Sequence, residues 1–153
     1  MDNDTLKQKI LTIVPAAEFT EPVYEYLNVT VIPADLRKLA EYLRSDPEMY
    51  FDYMFCLTGV DWVTHMTVIY HLNSTVNAHS IVMKVKIQDR EKPEVDTVCD
   101  LWKTAEFHER EVYDLFGIKF KNHPDLRRIF LDEDWVGFPL RKDYKDEANI
   151  VEL

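Results

Sequence analysis

Between Ile81 and Gln88 the side chains alternate by character: Ile81, Met83, Val85 and Ile87 on one side, Lys84, Lys86 and Gln88 on the other. Successive residues of a strand point to opposite faces, so this stretch is stable only as a strand with one covered face and one wet face. The rest of the chain must then supply both sheet partners and a cover. The two-residue period extends back to Tyr50, with the turn-forming pairs Thr58-Gly59 and Asn73-Ser74 between apolar runs, and it predicts a three-stranded meander over 50–87. In the middle run Trp62, Met66, Val68 and Tyr70 oppose Val63, His65, Ile69 and His71. Both faces are partly apolar, so this strand is expected to be central and covered on both sides.

Candidates for the cover recur at helical spacing. Leu6, Ile10, Ile13 and Val14 predict a short amphipathic helix ending at Pro15, followed by a polar, proline-bearing connector. Leu27, Val29 and Val31 alternate as a strand that Pro33 ends. Leu36, Leu39, Ala40 and Leu43 mark a second helix, with Arg37, Lys38, Glu41 and Arg44 facing away and Ser45-Asp46-Pro47 as its stop. After a charged loop from Asp89 to Glu94, helical spacing restarts at Val98, Leu101, Trp102 and Ala105, continuous with or kinked into a third helix that Gly117 ends. Ile118-Lys119-Phe120 reads as a short strand. The expected fold is α+β, with helices packed on a mostly antiparallel sheet over residues 1–120 and an extended C-terminal arm over 121–153.

On the third helix Glu109, Val112, Tyr113 and Phe116 share one face, while Glu106, Arg110 and Asp114 share another at four-residue spacing. The charged row is either a solvated face, worth about 0.3–0.5 kcal/mol per pair, or a face packed against something polar. The second reading places Arg110 in a buried site against carboxylates of its own chain or of a partner. The arm, from Lys121 onward, contains Ile129, Phe130, Leu131, Trp135, Phe138 and Leu140 without helical or strand periodicity. Such a stretch is too apolar for a solvated linker and is expected to be covered by another chain. His123-Pro124 and Phe138-Pro139 stiffen it at two places. Arg127, Arg128, Arg141 and Lys142 suit charge-assisted contacts with a partner.

Little in the chain points to chemistry of its own. Three glycines, Gly59, Gly117 and Gly137, cannot build a phosphate-cradling loop or a dinucleotide fingerprint. Cys56 and Cys99 are isolated in apolar surroundings, which excludes an iron–sulfur ligand set and reads as buried thiols in a reducing compartment. The histidines at 65, 71, 79, 108 and 123 have no metal-box spacing, and His108 with Glu111 lacks further ligands. Glu109 and Glu111, two positions apart on a helix, point away from each other and do not form an acid–base pair. The formal charge of −10 argues against nucleic acid as a partner and against direct binding to anionic lipid. No apolar run approaches the ~20 residues of a spanning helix, and the acidic Asp2 and Asp4 stand where a targeting signal would be basic. Membrane association is therefore expected only through a partner.

Four blocks in fixed order carry a resemblance: Glu109-Arg110-Glu111; Asp114-Leu115-Phe116-Gly117; His123-Pro124-Asp125-Leu126-Arg127-Arg128-Ile129; and Pro139-Leu140-Arg141-Lys142-Asp143-Tyr144. Together they resemble the signature of the 30-kDa subunit family of respiratory complex I, known in bacteria as the C subunit of NADH:quinone oxidoreductase. Phe107 departs from the tryptophan usual there. The resemblance implies a subunit of a proton-translocating oxidoreductase with no catalytic centre and no cofactor in this chain. It implies flavin, iron–sulfur clusters and quinone in partner subunits, and a place beside the large quinone-site, hydrogenase-like subunit. It further implies a peripheral location on the cytoplasmic side of the bacterial inner membrane, with the signature residues at the partner interface. Related subunits occur in membrane-bound nickel–iron hydrogenases and ferredoxin-linked quinone reductases, which remains the alternative. A free-standing hydrolase using Glu109, Arg110 and Asp114 is a third reading.

Overall fold

A computed structural model describes residues 1–21 and 25–146 of the chain. Its elements are α1 (Asn3–Ile13), β1 (Glu18–Phe19), β2 (Leu27–Val31), α2 (Pro33–Ser45), β3 (Tyr53–Asp61), β4 (Met66–Ser74), β5 (His79–Ile87), β6 (Glu94–Asp96), α3 (Ala105–Phe116) and β7 (Lys119–Lys121). Five strands form one sheet in the order β1-β2-β5-β4-β3, while β6 and β7 form a second, two-stranded parallel sheet. The meander β3-β4-β5 is antiparallel, and β2 lies parallel to β5, with Leu27 beside Ile81 and Val31 beside Val85. The sheet is therefore mixed but mostly antiparallel, and the fold is α+β as the patterning requires.

The alternation of β5 decides where the core lies. Ile81, Met83, Val85 and Ile87 are buried, and they continue across the sheet into Val29, Val68, Tyr70, Leu72 and Leu57. Leu6 and Ile10 of α1, Leu36, Leu39 and Leu43 of α2, and Val112 and Phe116 of α3 belong to the same apolar cluster. Each helix presents only one stripe to the sheet, as apolar residues recurring every three or four positions demand. Asp2 caps α1 by accepting the Thr5 N–H at 2.8 Å, and Pro33 opens α2 in the first turn, where a missing N–H costs nothing.

The structure corrects several expectations. Thr58-Gly59 is not a turn, because β3 runs unbroken to Asp61 and reverses at 62–65, where Val63 has φ 73° and the Trp62 N–H meets the His65 carbonyl at 3.0 Å. Gly59 serves packing instead: a Cβ there would come within 2.9 Å of the Phe116 ring and 3.1 Å of Val112, so its smallness lets α3 approach β3. β4 starts only at Met66, and its second face, with Ile69, His71 and Asn73 half-buried, carries no helix among the described residues. Glu94 opens a strand where the patterning predicts a loop, because three residues are too few to show a period. Residues 98–104 are turns rather than helix, anchored by the Trp102 indole N–H on the Phe51 carbonyl at 2.8 Å. Both cysteines are half-buried rather than buried.

Past Lys121 there is no helix or strand among the described residues. The arm expected over 121–153 is described to Asp146; residues 147–153, like 22–24 of the connector, lie outside the described residues. No helix among the described residues is long and apolar enough to cross a membrane.

Candidate functional site

The four signature blocks come together around α3. The helix directs Val112 and Phe116 at the sheet, Glu109 into the interior beneath residues 97–99, and Arg110 and Asp114 at the arm. Gly117 ends it in the left-handed conformation, φ 73°, with its N–H on the Tyr113 carbonyl. A Cβ at Gly117 would also sit 2.6 Å from the Phe138 ring, so this position is held to glycine twice over.

Asp114 is the centre of the first cluster. One carboxylate oxygen takes the Arg128 guanidinium at 2.9 Å; the other takes three consecutive backbone N–H groups, Ile129 at 3.1 Å, Phe130 at 2.7 Å and Leu131 at 3.1 Å. Burial alone would push this carboxyl up, but Arg128 and the N–H groups outweigh burial and hold it below the usual carboxylate range. Arg128 continues to the carbonyls of Trp135 at 3.0 Å and Gly137 at 2.9 Å and lies over the Phe138 ring. Arg110 is 7% exposed, as a packed helix face requires. Its partners are not the carboxylates expected, however, but the backbone carbonyls of Arg127 at 3.1 Å and Arg128 at 3.0 Å. Asp114 is already saturated by the arm, and the arm's carbonyls are what face the guanidinium.

A second cluster holds the last block. Asp61, at the end of β3, is paired with Arg90 through both oxygens, at 3.0 and 2.7 Å, and also accepts the Lys142 N–H at 2.9 Å. The Arg90 guanidinium holds the Asp61 carboxyl well below its ordinary value. Arg90 also reaches Asp143, at 2.9 and 3.1 Å. The Arg141 guanidinium and the Leu140 N–H take the Phe116 and Leu115 carbonyls, at 2.6 and 3.0 Å, and so satisfy acceptors that a helix C-terminus leaves open. The Tyr144 ring lies against Gly137, whose φ is 89°.

Most of the polar anchors expected of the arm are thus spent within the chain. Arg128 and Arg141 bind the chain's own carbonyls and Asp114, while Arg127 is exposed on Asp125 and Lys142 is exposed. Glu111 and Pro139 are half-buried at the periphery. The hydrolase reading loses its geometry, because Glu109, Arg110 and Asp114 point to different partners and are all buried. Sequence patterning does not single out Asp61 or Arg90, although an acid on the buried parity of β3, two residues beyond Gly59, is a detectable anomaly. The apolar residues are distributed differently: Val136 is 87% exposed and Phe130 66%, with Phe107 and Leu140 also exposed. Held in place by the two clusters, the arm leaves Phe130, Trp135, Val136 and Leu140 exposed to solvent.

The third cluster lies at the arm's root, beside an open groove of about 640 Å³ lined by Asp96, Thr97, Cys99, Lys103, Glu106 and Pro124, among others. Glu109 accepts the Thr97 hydroxyl at 2.5 Å and the Val98 N–H at 2.8 Å. Donor atoms of Cys99, Glu109 and His123 lie within 4.8 Å of one another, a spacing a metal ion could span. His123 does not offer the third lone pair, however. Its Nδ1 accepts the Asp125 N–H at 3.0 Å, so the hydrogen of the neutral ring is on Nε2, 2.9 Å from the Glu106 carbonyl. His108 lies on α3 outside this cluster and, among the described residues, forms no ligand group with Glu111.

Residues 29–149 match the family described as the respiratory-chain NADH dehydrogenase 30-kDa subunit. The NADH-quinone oxidoreductase C subunit from Roseiflexus castenholzii is 40% identical over 147 residues, covering 94% of this chain and 84% of that protein. The fused C/D subunit of NADH-quinone oxidoreductase from Phocaeicola vulgatus is 48% identical over 123 residues, 80% of this chain but 24% of that protein. The chain thus spans about a quarter of the length of the fused relatives. Among solved structures, a chain of a membrane-bound sulfane sulfur reductase, an archaeal respiratory membrane complex, superposes with a TM-score of 0.78 at 25% identity, covering 95% of this chain and 86% of that one.

Proposed function

Because this chain belongs to the family of the 30-kDa subunit of respiratory-chain NADH dehydrogenase, we propose that it is a cofactor-free subunit of a proton-translocating NADH:quinone oxidoreductase that scaffolds the large quinone-site subunit. On this reading the flavin, the iron–sulfur clusters and the quinone belong to neighbouring subunits. The chain is peripheral, on the cytoplasmic side of the bacterial inner membrane, and reaches the membrane only through the complex. The observation that carries the scaffolding role is the division of labour in the arm. Arg128, Arg141 and backbone N–H groups of the arm bind α3, and Phe130 and Val136 are left outside. Fixing an apolar surface beforehand lowers the ordering cost when a partner covers it.

Full-length Phe130→Asp and Val136→Asp chains test this, since neither side chain supports the fold. Each variant should melt like the parent and fail to co-purify with the large subunit. Co-purification of both at parental stoichiometry would move the interface elsewhere, most directly to the open face of the sheet. The equivalent subunit of a nickel–iron hydrogenase or ferredoxin-linked reductase is the second reading, favoured by the likeness to a respiratory complex named for another activity. Identifying the subunits that co-migrate with the native chain separates the two.

A further inference from the structure

Glu109 has no exposed surface, and both of its hydrogen-bond donors, Thr97 and the Val98 backbone, are uncharged. Among the described residues no lysine or arginine forms an ion pair with it; the group nearest to that role is His123, whose Nε2 is 3.8 Å from the carboxyl and whose ring is also without exposed surface. The Asp125 N–H occupies Nδ1 of that ring, so the Nε2 hydrogen faces two acceptors: the Glu106 carbonyl, hydrogen-bonded at 2.9 Å, and the Glu109 carboxyl at 3.8 Å, which becomes a partner only if the ring turns. A hydrogen bond to a carboxylate is about twice as strong as one to a neutral acceptor. The charge of Glu109 therefore decides which acceptor wins. We propose that Glu109 and His123 form a proton-operated hinge at the root of the arm. Neutral Glu109 leaves His123 on the Glu106 carbonyl; ionised Glu109 draws the Nε2–H to itself, turns the ring, and shifts the segment that begins with Pro124 and Asp125.

The surroundings place that choice near neutral pH. Burial pushes the Glu109 carboxyl up to about 7 against the opposing pull of the Thr97 and Val98 hydrogen bonds, with Asp100 adding to the rise and Arg37 of α2 opposing it. Arg37 is itself engaged by Asp100 and Glu41. From β4 comes Tyr70, fully buried with no partner for its hydroxyl among the described residues; burial first and the Glu109 and Asp96 charges next raise its pKa and keep it protonated. Burial likewise raises the Cys99 thiol, and Glu109, Asp100 and Glu106 add to the effect. The proton that leaves Glu109 has a short route to solvent, since Thr97 and Cys99 line the open groove.

The test is a titration of the full chain, from about pH 5 to about pH 9, that follows the Glu109 carboxyl carbon, the His123 ring nitrogens and the Asp125 amide by NMR. All three should inflect together near pH 7, the value to which Glu109 is raised. In Glu109→Gln the ring and amide inflections should disappear. Ring and amide signals that titrate alike in both proteins would assign the effect to His123 alone and overturn the hinge. So would a Glu109 carbon that titrates in the ordinary glutamate range, a measurement that needs only the parent chain and decides the matter if the variant fails to fold.

Discussion

Asp114 and Glu109 lie on the same helix, and both have no exposed surface. Their carboxyls are nevertheless displaced in opposite directions, Asp114 downward and Glu109 upward to about 7. Burial penalises both charges. The difference is a guanidinium: Arg128 and three backbone N–H groups converge on Asp114, whereas Glu109 receives one hydroxyl and one N–H. Isolated desolvated carboxylates are costly enough that a group without a cation adjusts its protonation instead. One helix thus carries a permanent charge that binds the arm and, five residues earlier, a carboxyl whose charge is conditional.

The comparison breaks most visibly at Asp114. Replacing it with alanine strands Arg128 among carbonyls and frees the arm, so Asp114→Ala should lose about 3–5 kcal/mol in urea unfolding and become susceptible to proteolysis between residues 121 and 144. A stable, protease-resistant variant would mean that the arm is held elsewhere. At Glu109 the sign reverses. The folded chain retains a proton up to about pH 7 that the unfolded chain releases near the ordinary value of 4.5, so this group's contribution is complete below 4.5 and is lost as pH rises through 7. Stability should fall by up to roughly 3 kcal/mol across that window from this group. Glu109→Gln should flatten the decline; the same slope in the variant would place the titrating group elsewhere. Asp114 contributes in the other sense, its share being present above the usual aspartate range and fading only as pH drops through its lowered value.

Smaller effects sharpen the contrast. Gly117→Ala must adopt a φ of 73° and displace the Phe138 ring, which should cost about 1–3 kcal/mol and show as increased Phe138 mobility by NMR. Arg127 pairs with Asp125 on the surface, and Arg127→Ala should change stability by less than about 1 kcal/mol. A larger loss there would show that Arg127 contributes to the clamp alongside its neighbour.

What could be read from sequence divides along physical lines. The alternation of β5, the stripes of α1 and α2 and the glycine stop of α3 are local signals, and each recovers its element. Gly59 misleads because a glycine in a turn and a glycine beneath a helix are the same letter; only Phe116 and Val112 above it distinguish them. The parallel pairing of β2 with β5 is a long-range choice that no window of residues encodes. The signature blocks do not reveal that Glu109, Arg110, Asp114 and Arg128 face inward, since an arginine bound to carbonyls of the same chain looks no different in sequence from one awaiting a partner. Asp61 and Lys142 meet across 81 positions, which is why the second cluster goes unseen until the fold is known.

That separation also has a consequence for synthesis. The Phe116 carbonyl is capped by Arg141, 25 residues later, and Leu115 by the N–H of Leu140. While the chain is being made, the end of α3 stays open and Asp114 lacks its arginine until the arm has emerged from the ribosome. Nascent α3 therefore passes through an interval in which its last carbonyls are made but not yet capped. A translational pause before the arm emerges would lengthen the time in which the exposed helix end can meet chaperones or the wrong neighbour.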